Sequence, residues 1–221
     1  MADARTLVLV RHGETDWNAS GRAQGHADIP LNDTGRAQAR VVARLLARFD
    51  PARLWSSDLA RARETAQAIA EATGLTVELD RRLREYDVGE RSGLTLDEAA
   101  ERFPEEYAAY RAGRSATLAP GEETTEQVRD RVVPALLDCF AGLGAGETGI
   151  AVLHGACLRV GLMGVIRWPW EHARALVGID NGAFCVLTHD PAQDRIRLAS
   201  YNERADRALP PPDFVADGPV G

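Results

Sequence analysis

Near its start the chain reads Thr6-Leu7-Val8-Leu9-Val10, and Arg11-His12-Gly13 follows at once. An apolar, β-branched run of this kind reads as a buried parallel strand, which is covered on both faces by helices. Such a strand delivers the next residues to the carboxyl edge of the sheet, where open α/β folds build their ligand sites. Arginine is shaped for a phosphate, imidazole acts as nucleophile or proton carrier near neutral pH, and glycine lets the backbone approach a bound group. The triplet alone hints at phosphate chemistry.

Further apolar runs at 53–56, 76–79, 149–153 and 183–188 read as strands, with helical patterns between them. Across Asp33–Phe49, residues Ala37, Val41, Val42, Leu45, Leu46 and Phe49 recur at helical spacing, with Asn32 as N-cap and Asp50-Pro51 as the stop. A second helix is predicted over Asp58–Thr73, ending at Gly74. A third is predicted over Thr124–Leu143, kinked or broken at Pro134, and a fourth starts near Ala156. This alternation predicts a three-layer α/β/α fold with a mostly parallel central sheet. Residues 86–121 interrupt it with a charged stretch and one short helical pattern, Leu96–Arg111, expected as a small helical insertion over the active-site edge. The expectation is one domain over 1–207, followed by a loose tail over 208–221.

Composition narrows the partners. The 221 residues carry a net charge of −7, which argues against a nucleic-acid or anionic-membrane surface. Any bound anion must then be captured by a local group of arginines. Cys139, Cys157 and Cys185 lie far apart without metal-ligand spacing, which fits a reducing compartment. The absence of a leader pattern and of a bilayer-length apolar run reads as a cytoplasmic protein without membrane attachment.

Four separated pieces follow the first four predicted strands: Arg11-His12-Gly13, then Ser57-Asp58-Leu59-Ala60-Arg61, then Leu83-Arg84-Glu85, then His154-Gly155. On a parallel sheet they share one edge. Two histidines, two arginines and a carboxylate then meet, the inventory that phosphoryl transfer needs. The helix starting after His154 is expected to add its N-terminal dipole to the anion site.

With these pieces in that order, the chain resembles the histidine phosphatase superfamily, which includes the cofactor-dependent phosphoglycerate mutases. The resemblance also rests on Glu14-Thr15, Trp17-Asn18, Gly21-Arg22-Ala23-Gln24-Gly25, Asp28-Ile29-Pro30-Leu31, Gly35, Thr65-Ala66 and Asn181. Within the superfamily, the chain length and the region of the acid motif are similar to the glucosyl-3-phosphoglycerate phosphatases. The resemblance implies a phosphohistidine on His12, with Arg11, Arg61 and His154 stabilising the transferring group. It makes Glu85 the proton donor to the leaving oxygen and then the base toward water. It sets Asn18, Arg22, Gln24, Gly25 and Gly155 on the wall near the substrate. The substrate it implies is a small phosphorylated metabolite, either a sugar phosphate or a phosphoglycerate derivative. It implies no metal and no other cofactor, because the arginines neutralise the phosphate. It also implies the homodimer common in such families.

Three departures stand out. Gly89-Glu90-Arg91-Ser92-Gly93 replaces the family's Gly-x-Trp-Glu-Gly, Pro120-Gly121-Glu122-Glu123-Thr124 replaces Pro-Gly-Gly-Glu-Ser, and His154-Gly155-Ala156 replaces His-Gly-Gly. None removes a catalytic residue. The alternatives to a phosphatase are a phosphoglycerate mutase and an inactive relative that binds a phosphorylated partner. The short, mostly acidic insertion favours hydrolysis over the mutase, and the presence of His12 and Glu85 disfavours the inactive binder. Arg111 and Arg114 in the insertion suit either a substrate carboxylate or an exposed helix face.

Overall fold

The computed structural model describes residues 4–112, 117–190 and 193–204. The expected tail over 208–221 and Arg114 lie outside the described residues.

Six strands form one sheet: β1 (Arg5–Arg11), β2 (Arg53–Ser56), β3 (Val77–Leu79), β4 (Thr148–Leu153), β5 (Phe184–Asp190) and β6 (Arg195–Glu203). Their spatial order is β3-β2-β4-β1-β5-β6. Strands β3, β2, β4 and β1 run parallel, whereas β5 and β6 are antiparallel to their neighbours. The mostly parallel sheet expected from the alternation is present. Strand β6 was not predicted, although its Ile196 and Leu198 alternate with charged Arg195 and Arg197.

The helices are α1 (Asp16–Ala19), α2 (Asp33–Leu46), α3 (Ala60–Thr73), α4 (Leu96–Arg102), α5 (Pro104–Arg111), α6 (Thr125–Ala141) and α7 (Gly155–Val165). Successive strand residues point to opposite faces, so each central strand feeds two cores. Val8, Val10, Leu54, Ile150 and Val152 pack with Val42, Leu46, Ala62, Ala66 and Ile69 of α2 and α3. Leu7, Leu9, Ala151 and Leu153 pack with Val132 and Leu136 of α6 and Leu158 and Leu162 of α7. Leu7 through Val10 are wholly inaccessible to solvent. Burying each stabilises the fold by about 2 kcal/mol, which fixes the level at which Arg11 and His12 emerge.

Local chemistry explains where helices begin and stop. Asn32 caps α2 by accepting from the Gly35 amide, as its sequence position suggests. Gly74 closes α3 in the left-handed region at φ 75°. Helix α3 starts two residues later than predicted, and its cap comes from far away: Asp28 accepts from the Ala60 amide. The single helix expected over Leu96–Arg111 is two helices, α4 and α5, divided at Phe103-Pro104. Proline has no N–H and bars helical backbone in the residue before it. Pro134, conversely, does not break α6, which runs through it. An antiparallel bridge between Val88 and Glu122 brings the ends of the 86–121 insertion together. Among the described residues, no helix is long and apolar enough to cross a membrane.

Candidate active site

The register of β1 and β4 pairs Arg11 with Leu153, so the next residues, His12 and His154, leave the sheet side by side. The His12 amide donates to the Leu153 carbonyl at 3.0 Å, and the two imidazoles meet edge to face with centroids 5.1 Å apart. One strand further along, Ser56 pairs with Val152, which sets Ser57 beside His154. Strand β5 runs the opposite way, so the residues before it reach the same edge. Asn181 there donates to the carbonyls of His12 and Gly13. The turn after His12 is tight because α2 docks on it: a Cβ at Gly13 would strike the Gly35 carbonyl, and one at Gly35 would strike Glu14. The Gly13 amide is taken by the Thr65 hydroxyl of α3.

Hydrogen bonds assign the tautomers. His12 Nδ1 lies 2.7 Å from the Gly13 carbonyl, an acceptor only, so Nδ1 carries the proton and Nε2 keeps its lone pair. Burial, with Arg61 and Arg11 close by, holds this imidazole well below its ordinary value of 6.5, and it is neutral at pH 7. The His154 ring is set by Arg61, whose Nε donates to His154 Nδ1 at 3.1 Å. The His154 proton is therefore on Nε2, 2.9 Å from the Ser57 hydroxyl oxygen. Burial and the neighbouring Arg61 keep His154 neutral as well.

Arg61 is one of the largest fully buried side chains. Its Nη1 and Nη2 each give one hydrogen bond, to the carbonyls of Ala27 at 2.9 Å and Gly25 at 2.8 Å, which leaves one N–H on each. Gly25 presents that carbonyl from φ 50°, and a Cβ there would strike Val88. Burial pushes the Arg61 guanidinium down to about 10, still charged at neutral pH. Arg11 donates to the Ile179 carbonyl, and its buried Nε has no hydrogen-bond partner among the described residues.

Glu85 sits at the N-terminus of α7. Its Oε1 accepts from the amides of Tyr86 at 3.0 Å and Cys157 at 2.9 Å, and its Oε2 from the amide of Ala156 at 3.0 Å. The first turn of α7 thus holds the Glu85 carboxylate through the amides of Ala156 and Cys157.

These groups open onto a cavity of about 840 Å³. Arg11, His12, Asn18, Arg22, Gln24, Gly25, Arg61 and Glu85 all line it. Asn18 accepts through Oδ1 from Thr15 and Asn181, and Gln24 accepts through Oε1 from Thr15, so each engages its oxygen with the protein, and neither NH2 has a partner among the described residues. Arg22 lines the wall, but its Nη1 and Nη2 are engaged with Glu98 and the Gly93 carbonyl. His154 is buried behind His12 and does not line the cavity, and Gly155 packs against the Arg11 guanidinium. Arg111 is exposed and lies outside the lining.

Two structural residues escaped the sequence reading. Arg131 of α6 donates to the carbonyls of Arg82, Arg84 and Glu85 and pairs with Glu123, pinning the segment that carries Glu85. Nothing in its helical context distinguishes it from a surface arginine. Arg159 of α7 also lines the cavity. The three cysteines are buried and free, and burial raises the thiols of Cys139 and Cys185 to about 12, which leaves them unreactive.

The model of the histidine phosphatase superfamily (branch 1) matches residues 7–203. The chain is 42% identical over 175 residues to phosphoglycerate mutase-like protein 4 of Arabidopsis thaliana, covering 78% of this chain and 72% of that one. It is 36% identical over 216 residues to the glucosyl-3-phosphoglycerate phosphatase of Mycobacterium tuberculosis, covering 91% and 96%. The solved structure of a mycobacterial glucosyl-3-phosphoglycerate phosphatase in complex with VO3 superposes with a TM-score of 0.80 at 34% identity, covering 90% of this chain and 99% of that one. The chain belongs to branch 1 of the histidine phosphatase superfamily and is a phosphatase.

Proposed function

We propose that the protein hydrolyses a small phosphorylated metabolite, a sugar phosphate or a phosphoglycerate derivative, through a phosphohistidine on His12 and without a metal ion. The observation that carries this reading is the state of His12. It is neutral, its Nδ1 proton is spent on the Gly13 carbonyl, and its Nε2 lone pair is left at a cavity lined by Arg11 and Arg61. Attack by Nε2 on phosphorus forms an N–P bond as the P–O bond to the leaving group breaks. Arg11, Arg61 and the free amide groups of Asn18 and Gln24 offer donors to the three equatorial oxygens, whose charge rises in the transition state. Oε2 of Glu85 has a single backbone donor and so retains capacity to carry the proton to the leaving oxygen. The same oxygen then takes a proton from the water that attacks the phosphohistidine. His154 enters as a positioning residue, orienting Arg61 and backing His12.

The test is phosphate release from p-nitrophenyl phosphate without a bisphosphoglycerate primer. Turnover is expected, with an acid-labile phosphate on the enzyme. His12→Asn removes both, a loss of about 10⁴-fold or more in kcat, while the circular dichroism spectrum is kept. Glu85→Gln slows alkyl phosphates far more than p-nitrophenyl phosphate, whose leaving group needs no proton. A strict primer requirement would make the enzyme a mutase instead. Equal losses for good and poor leaving groups would remove Glu85 from the acid role.

A further inference from the structure

The cavity is larger than a phosphate requires, and its charges away from His12 are unevenly committed. Arg22 is bound to Glu98, and Arg91 to Glu122. Arg61 is fixed by His154 and two carbonyls, with one N–H left on each terminal nitrogen for the phosphate beside His12. Arg159 differs. It is half-buried and lines the same cavity, and its buried Nε has no hydrogen-bond partner among the described residues. Among the described residues, it has no protein carboxylate within ion-pairing distance. A buried guanidinium donor left unmatched is costly, and its natural complement is an anion that arrives with a ligand.

Position tells which part of the ligand. Arg159 is one turn along α7 from Gly155, which packs on Arg11 at the phosphate end. Residues four apart share a helix face, and the rise between them is about 6 Å. That is the span of a short carbon chain beyond a phosphate ester. Tyr86 and Thr125 line this part of the cavity and hydrogen-bond each other, so they leave the charge to Arg159. The exposed Glu126 and Glu171 line the cavity as well and disfavour a second dianion there.

We propose that Arg159 is a specificity-determining residue that binds a carboxylate on the substrate, so that the preferred phosphomonoesters carry a second anionic group a few bonds from the phosphate. This rests on the phosphatase reading for the phosphate itself. A planar guanidinium pairs with a carboxylate in a two-point contact, and a primary ammonium matches that geometry less well.

The experiment compares 3-phosphoglycerate with glycerol 3-phosphate, which keeps the phosphate and the three-carbon chain but lacks the carboxylate. The wild type is expected to favour 3-phosphoglycerate in kcat/KM. In Arg159→Gln that preference falls by about 30-fold, carried by KM rather than kcat, and Arg159→Lys restores part of it. A wild type that does not discriminate overturns the proposal, as does a preference unchanged within twofold in Arg159→Gln. If neither ester is hydrolysed, the phosphatase reading fails separately. Calorimetric affinities of the two esters for wild type and Arg159→Gln then decide the carboxylate contact by the same ratio. If Arg159→Gln does not fold, the preference of Arg159→Lys decides: an undiminished preference overturns the proposal.

Discussion

The floor of the cavity and the wall above it are built on different principles. The floor hangs on the ends of β1, β2 and β4, and its side chains are sealed: His12, Arg61 and His154 are almost wholly buried, Arg61 hydrogen-bonds His154, and the His154 ring packs edge to face on His12. The wall comes from the loop around Arg22 and from the 86–121 insertion. Ion pairs hold it together, and the Arg22–Glu98 pair is about 40% exposed. In the floor, a lost partner strands a buried group in low dielectric, where nothing replaces it. At the exposed Arg22–Glu98 pair of the wall, water replaces what is lost. The floor is therefore a rigid, over-determined network, whereas the composition of the exposed part of the wall can drift with little loss of stability.

The sharpest way to break this contrast is His154→Ala. His154 does not line the cavity, so a purely local view of the site allots it a small role. The network view predicts otherwise, because the change frees the Arg61 Nε and removes the ring packed on His12. We expect kcat to fall about 10²- to 10³-fold, with KM for the phosphate ester changed much less. His154→Gln restores an acceptor for Arg61 in part, and partial recovery of kcat would separate positioning from loss of fold. A kcat within a few-fold of wild type in His154→Ala would show that the floor is not a single unit.

This contrast also accounts for what the sequence discloses. Arg11, His12, Arg61, Glu85 and His154 are readable because each follows a strand within a few residues, and a parallel sheet gathers such positions at one edge. The first five strands and the main helices are readable from equally local patterns. What is hidden is non-local. Asp28 caps α3 across 32 residues, and Arg131 reaches three carbonyls some 46 to 49 residues away. Strand β6 is hidden differently: it is an edge strand with Arg195 and Arg197 facing outward, a composition that resembles a loop. The commitment of the α7 amides to Glu85 could not be read either, since a helix N-terminus does not name its anion.

A second, intermediate effect concerns pH. Both floor histidines have folded values held below 6.5 by burial first and by Arg61 next. The unfolded chain therefore binds more protons than the native one once the pH drops to the ordinary histidine range. The stability that neutral burial confers is fully present above about pH 6.5 and is lost as the pH falls below it. Two such groups give a slope of up to about 2.7 kcal/mol per pH unit, superimposed on the carboxylate contributions at lower pH. Urea unfolding between pH 7 and 5 should show this decline, and His154→Gln should flatten it. An unchanged slope in that variant would mean that His154 is accessible to protons in the native state.

The smallest effect is expected at the wall, and it tests whether Arg22 belongs there. The family resemblance sets Arg22 beside the substrate, and it does line the cavity. Its guanidinium, however, bonds Glu98 at 2.6 and 3.0 Å and the Gly93 carbonyl at 2.6 Å, joining the 20–25 loop to α4. With both partners more than a third exposed, Arg22→Ala should reduce stability by less than about 1 kcal/mol, a shift of roughly 2–3 °C in Tm, and less in high salt. If Arg22 acts through Glu98 as a strut, Arg22→Ala, Glu98→Gln and the double variant raise KM by similar small factors, because each breaks one shared contact. A direct contact with substrate predicts the opposite pattern: Arg22→Ala raises KM tenfold or more, Glu98→Gln leaves it alone, and the two effects add. In that event the boundary between sealed floor and adaptable wall would have to be moved outward to include the 20–25 loop.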